Sequence, residues 1–234
     1  MIFNKFFILF KIGRKIGKSN IINIVSETHK IPVFIKLFFN LLAFSFSSSN
    51  NTKSKGKENL SESIQEMGTT FIKLGQFLAT RPDIIGEKLS KELESLQDKL
   101  PPFSKKEAEK IIIENLGQSN FDDIIDLSEP IAAASIAQVH KAKIKEDNII
   151  KNVAIKVLRP NIKKIFNDEI DAIMLLAYIV ESLISKTKRL KLIEVVFLFK
   201  EITNHEMDLR FEAAAANEYA ENTKNDLGFF VPKI

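Results

Sequence analysis

A lysine inside an otherwise apolar run is the first residue that calls for chemistry. In Val153-Ala154-Ile155-Lys156-Val157 the alternation reads as a strand. It sets the ammonium of Lys156 beside a core, where loss of its water is costly unless an anion answers it. The alternative is an edge-strand lysine facing water. Just upstream, Pro130-Ile131-Ala132-Ala133-Ala134-Ser135-Ile136-Ala137-Gln138-Val139-His140 is crowded with small side chains. Ala132, Ala133, Ala134 and Ser135 would let backbone N–H groups approach an anion, although alanine restricts the backbone more than glycine does. By composition alone a small-residue packing surface is the better reading. A third constellation is acidic: Glu206, Asp208 and Glu212, with Arg210 between them. On a single helix Asp208 and Glu212 stand one turn apart on one face, where like charges cost roughly a few tenths of a kcal/mol. Such a pair fits either a cation opposite or a solvated face. The fourth is Lys73-Leu74-Gly75-Gln76, in which Thr69, Lys73, Gln76 and Thr80 form one polar stripe. Gly68 and Gly75 lie two turns apart on the same expected helix, each costing roughly 1 kcal/mol relative to alanine. That cost favours a packing or functional reason over chance, the alternative being a solvent stripe with two tolerated glycines.

The elements that must position these residues follow from periodicity and punctuation. Ile64, Met67, Phe71, Leu74 and Leu78 recur at three- and four-residue steps, which predicts one helix over 59–80, ended by Arg81-Pro82. A second helix is expected over 86–98, halted at Leu100-Pro101-Pro102. Ser104-Lys105-Lys106-Glu107 is a capping box that opens a third, closed at Gly117. Residues 120–127 read as a short transition. Two strands are expected over 131–143 and 152–158, joined by the polar turn Lys145-Glu146-Asp147-Asn148. Long helices follow over 162–185 and 192–223, and Phe229–Ile234 reads as the start of another strand. No internal repeat is visible.

Charge divides the chain. Residues 1–57 carry ten Lys or Arg against the single acid Glu27, a net +9, while the remainder carries 24 bases and 29 acids, a net −5. A basic head on a mildly acidic body points to an anionic surface met by the head alone. Phe3, Phe6, Phe7, Leu9 and Phe10, interleaved with Lys5 and Lys11, suit a membrane surface better than nucleic acid. Packing on the body and a signal or anchor are the other readings of the head. The apolar run over 31–46 is short for a spanning helix, which needs roughly 20 residues. Residues 47–57 (SSSNNTKSKGK) read as a linker. With no cysteine and only His29, His140 and His205, disulfides, thiolate sites and a histidine-built metal centre are excluded or improbable.

In their order and spacing these segments resemble the UbiB family of atypical, protein-kinase-like proteins. The carrying stretches are Phe71–Gln76 with Thr80-Arg81-Pro82-Asp83, Leu96-Gln97-Asp98 with Pro101-Pro102-Phe103, the alanine-rich loop, Val153–Val157, and Glu206-Met207-Asp208 through Glu212-Ala213-Ala214. The resemblance implies an α+β fold. A basic amphipathic head and linker (1–57) would precede a helical extension carrying the K-x-G-Q motif (58–118). A kinase-like N-lobe with a small antiparallel sheet (119–234) would follow.

It further implies ATP and Mg as cofactors. Lys156 would be the nucleotide-phosphate lysine, as the V-A-I-K lysine is in kinase folds, and Glu212 its helix partner. Ala132–Ser135 would be the loop over the nucleotide. Lys73, Gly75 and Gln76 would regulate from the extension, with Glu206 and Asp208 as the acidic motif that meets them. The implied role is atypical kinase or ATPase support of ubiquinone biosynthesis, peripheral on the cytoplasmic face of the inner membrane. Partners would be nucleotide, the membrane surface or ubiquinone-biosynthesis proteins, and no nucleic acid. A kinase also needs a catalytic-loop Asp, an Asn and a second metal-binding Asp from its C-lobe. Neither an H-x-D-type loop nor a D-x-G is expected after Glu212. No residue here is assigned a catalytic or metal role. The chain is therefore expected to be truncated before the catalytic half, its C-lobe missing, and to be inactive alone. The competing function is a non-enzymatic, membrane-associated regulatory or interaction module.

Overall fold

A computed structural model describes residues 2–19, 21–28, 60–96 and 100–234, together with Val33, Lys36 and Leu37. The expected linker at 47–57, most of the apolar run at 31–46 and the Gln97-Asp98 part of the Leu96-Gln97-Asp98 motif lie outside the described residues. The architecture is α+β, with helices around a three-stranded antiparallel sheet of order β1-β2-β3. The chain forms two compact units, residues 1–175 and 176–234.

The first unit opens with α1 (Ile2–Lys18) and α2 (Ile21–Thr28). Ile12 of α1 is buried, and the Lys15 ammonium donates to the Met67 carbonyl at 2.7 Å. One face of the basic head thus packs on the body, while Phe7 is 67% exposed on another. The helix expected over 59–80 is two helices, α3 (Leu60–Met67) and α4 (Thr69–Ala79), broken at Gly68. Gly68 has φ 102° and ψ −176°, a conformation essentially reserved for glycine. Pro82 then starts the short α5 (Pro82–Ile85), over which Arg81 makes a two-pronged ion pair with Asp83 at 2.9 and 2.8 Å. That hydrogen bond, more than the charge alone, holds the Asp83 carboxyl below its ordinary range. Leu89 and Leu93 of α6 (Glu87–Leu93) pack with Leu60 and Leu96, and Ile21, Ile24 and Val25 of α2 close over them.

The Ser104 half of the capping box is present, its hydroxyl accepting from the Glu107 N–H at 3.3 Å, and α7 (Lys105–Leu116) ends at Gly117, φ 84°. In place of a transition, α8 (Gln118–Asp122) leads directly into a first strand, β1 (Ile124–Ala133), with β2 (Ala137–Glu146) and β3 (Ile149–Leu158) after it. The sequence reading missed β1 because its alternation is broken. Its register slips on both sides of Pro130, which has no N–H to give the ladder and is tolerated on an edge strand. Ser128 fills the gap, its hydroxyl accepting from the Lys141 N–H at 2.9 Å. β2 and β3 pair without a slip from Ala137–Leu158 to Glu146–Ile149. Their turn, Asp147-Asn148, has both φ values positive, as a tight hairpin requires.

One face of the sheet is covered. Leu127, Ala142 and Val157 meet Ala108 and Ile112 of α7, with Val153 and Ile155 partly buried beside them. α9 (Ile162–Leu183) follows, with Phe166 and Ile170 fully buried.

In the second unit a short 3-10 turn (Ser185–Leu190) leads to α10 (Leu192–Glu206) and α11 (Leu209–Asn222). The single helix expected over 192–223 is thus interrupted at Met207-Asp208. α10 buries Val195, Val196, Phe199 and Thr203. Residues 229–234, expected to begin a strand, form none.

Candidate functional site

The period-two alternation of β3 decides where its lysine points. Val153, Ile155 and Val157 turn toward α7, so Ala154 and Lys156 leave on the opposite face, and both are exposed. The expectation of an ammonium beside the core is corrected: Lys156 faces away from it. Directly across the ladder Lys156 pairs with Val139 of β2, and Val139 with Ala132 of β1. Side chains paired in this way share a face. Ala132, Val139 and Lys156 therefore form one row across all three strands.

The alanine-rich loop stands at the end of that row. Ala132 and Ala133 already belong to β1, and the connection to β2 is a tight turn around Ser135-Ile136, closed by the Ala134 N–H donating to the Ala137 carbonyl at 2.8 Å. Ser135 and Ile136 are buried, whereas Ala132 is exposed. The small residues thus make a narrow hairpin end, with one donor already used inside the turn.

Lys73, Gly75 and Gln76 lie on α4, with Gly75 buried and the other two partly buried. A Cβ on Gly75 would stand 2.4 Å from the Leu96 Cδ1 atom and 3.3 Å from the Ile64 Cγ2 atom. This residue of the motif is therefore a packing requirement.

The acidic residues lie in the second unit and are placed differently from the helix expected. Glu206 ends α10, and Asp208 is the N-cap of α11, accepting from the Arg210 N–H at 3.1 Å. The Arg210 guanidinium also grips the Asp208 carboxylate, Nε to Oδ1 at 2.8 Å and Nη2 to Oδ2 at 2.5 Å. That hydrogen bond, with the charge behind it, raises the Arg210 pKa. A cation for Asp208 is thus supplied two residues away, and the one-turn spacing with Glu212 does not call for another. Glu212 is exposed in the first turn of α11, where a carboxylate is favoured by the helix dipole.

Among the described residues no three His, Cys, Asp or Glu side chains converge in a way that could hold a metal ion. The expectation of no D-x-G after Glu212 is corrected: Asp226-Leu227-Gly228 spells that tripeptide. It forms a turn after α11, with the Asp226 N–H on the Thr223 carbonyl, Gly228 at φ 90° and Leu227 almost fully exposed. A kinase metal Asp follows a catalytic loop. Here helix α11 occupies most of the stretch from Glu212 to Asp226.

Gln138, His140 and Arg159 were also passed over as site residues. Gln138 and His140 are almost fully buried on the covered face of β2. Two large polar residues at alternate positions of a buried strand face were the available signal, since such groups are rarely buried without partners.

A three-stranded sheet with a lysine on the exposed face of β3, a small-residue hairpin before it and a long helix after it defines a kinase-like N-lobe. The chain belongs to the ABC1 atypical kinase-like family, whose model matches residues 95–234. Its relatives include a protein from Marinobacter nauticus named "Probable protein kinase UbiB", 34% identical over 88% of this chain and 37% of that protein. A protein of the same name from Pseudomonas paraeruginosa is 31% identical over 97% of this chain and 42% of its own length. One from Vibrio cholerae is 37% identical over 76% of this chain and 32% of its own. The chain thus spans about two fifths or less of the length of the curated relatives it matches.

Proposed function

We propose that these residues supply the nucleotide-holding roof and the regulatory extension of a UbiB-type atypical kinase or ATPase that supports ubiquinone biosynthesis. The observation that carries this reading is the row Ala132, Val139 and Lys156 on the sheet face away from α7, ending at the Ser135 turn, in a chain of the ABC1 family. Lys156 offers its ammonium to the nucleotide phosphates, and the small side chains beside it leave space for them. By the family resemblance Glu212 takes the role of the lysine's helix carboxylate, and Lys73, Gln76, Glu206 and Asp208 take regulatory roles. The family resemblance implies ATP together with Mg.

Binding of ADP to the 234-residue chain, followed by the fluorescence of a labelled analogue, tests this. A charge-assisted hydrogen bond contributes about 1.5–3 kcal/mol, so Lys156→Ala should weaken ADP roughly 10- to 100-fold. Lys141→Ala, on the same exposed face, should leave it unchanged. Equal affinities in wild type and Lys156→Ala would overturn the assignment. Residues 1–234 alone should release no phosphate from ATP; a measurable rate abolished by Lys156→Ala would contradict that part.

The head favours a further role at an anionic membrane surface, peripheral and on the cytoplasmic face of the inner membrane. Phe7 and Phe10 are exposed on α1 beside Lys11. Phe7→Ser with Phe10→Ser should reduce sedimentation of the chain with vesicles of anionic phospholipid. Unchanged sedimentation removes the role of these two residues.

A further inference from the structure

The segment of the extension just before α7 lacks two backbone donors. Pro101 and Pro102 carry no N–H, and two side chains of the sheet region satisfy the backbone on either side of them. The Gln138 amide oxygen accepts from the Phe103 N–H at 3.0 Å, and its NH2 donates to the Phe103 carbonyl at 3.1 Å. The same NH2 lies 2.9 Å from the His140 Nε2 atom. Gln138 donates there, so Nε2 accepts and the His140 Nδ1–H donates to the Ser128 carbonyl at 2.8 Å.

Arg159 completes the arrangement. Its Nη1 donates to the Pro101 carbonyl at 3.0 Å and its Nη2 reaches the Leu100 carbonyl at 3.4 Å. The same guanidinium donates to the Ala134 carbonyl through Nε at 3.0 Å and Nη2 at 2.8 Å. Its own backbone N–H donates to the Ile136 carbonyl at 2.8 Å, and its guanidinium carbon stands 5.9 Å from the Phe103 ring centre. One side chain therefore binds the diproline segment and the alanine-rich turn at once. A planar fork of donors can span three carbonyls, whereas a lysine offers one point of charge.

We propose that Arg159, supported by Gln138, is a positioning residue that couples the diproline segment of the extension to the turn over the nucleotide, so that the extension sets the shape of that turn. The functional half of this statement rests on the nucleotide reading above; the coupling itself does not.

Amide hydrogen exchange on the full chain tests it. Pro101→Gly with Pro102→Gly lies at exposed positions remote in sequence from the turn, and leaves every side chain of the clamp in place. It should speed exchange at Ala134, Ser135 and Ile136 about tenfold or more, the effect of weakening one charged hydrogen bond. The tip of the β2–β3 hairpin should not respond. Arg159→Lys should reproduce this, also speed Phe103, and weaken ADP with little change in thermal midpoint. Acceleration confined to residues 100–104 in the diproline variant would overturn the coupling. If exchange is coupled but wild type binds no ADP, the nucleotide reading fails and the clamp stands. If ADP binds while exchange is uncoupled, the clamp fails and the nucleotide reading stands.

Discussion

Two glycines of the extension show how different physical reasons produce the same letter. Gly75 is helical and crowded: an added Cβ would meet Leu96 at 2.4 Å. Gly68 has room, with the Lys15 ammonium 3.9 Å from an added Cβ, but its φ of 102° is one that a side chain rarely adopts. Gly68→Ala should therefore cost about 1–3 kcal/mol through the backbone alone and lower the melting temperature of the chain. Calorimetry checks this; an unchanged midpoint would show that α3 and α4 can join without the break. Lys156 carries a similar lesson. Its strand was legible from Val153, Ile155 and Val157, yet its outward direction follows from what those three residues pack against, which a single sequence does not contain.

Elements were most legible where local chemistry decides them. The Ser104 cap, the Gly117 stop and the Asp147-Asn148 turn are each specified within a few residues, and all stand where the sequence places them. β1 was lost because Pro130 and the register slips around it erase the alternation that marks a strand, while the partners that rescue it come from Lys141 and His140 on β2. The long helix over 192–223 was over-read because the apolar period carries on beyond the Asp208 cap. Asp208 serves as a helix start, one of the best roles for aspartate, and Arg210 fastens it there. The seating of α7 on the sheet is the contact that holds the lobe together. Ile112 is buried between Ala108, Leu127 and Val157. Ile112→Ala should cost about 2–5 kcal/mol. Chemical denaturation should show a lower midpoint with an unchanged slope; a midpoint within error of wild type would mean that the sheet holds without its helix.

At the scale of the molecule, family membership, the α+β architecture and the hairpin before the lysine strand were all readable from motifs. The basic head was readable only in part. Its charge and phenylalanines suit a lipid surface, but burial of Ile12 and the Lys15 hydrogen bond to Met67 give α1 a second, packing face that composition does not show. The central claim is that the exposed face of β3 receives nucleotide phosphates at Lys156. An ATP derivative bearing a reactive acyl group on its terminal phosphate transfers that group to whichever lysine lies against the phosphates, and peptide mass spectrometry then locates it. Modification should concentrate on Lys156 over Lys141, Lys143 and Lys151 of the same hairpin, and excess ATP should suppress it. Modification spread evenly over those four lysines and indifferent to ATP would contradict the account.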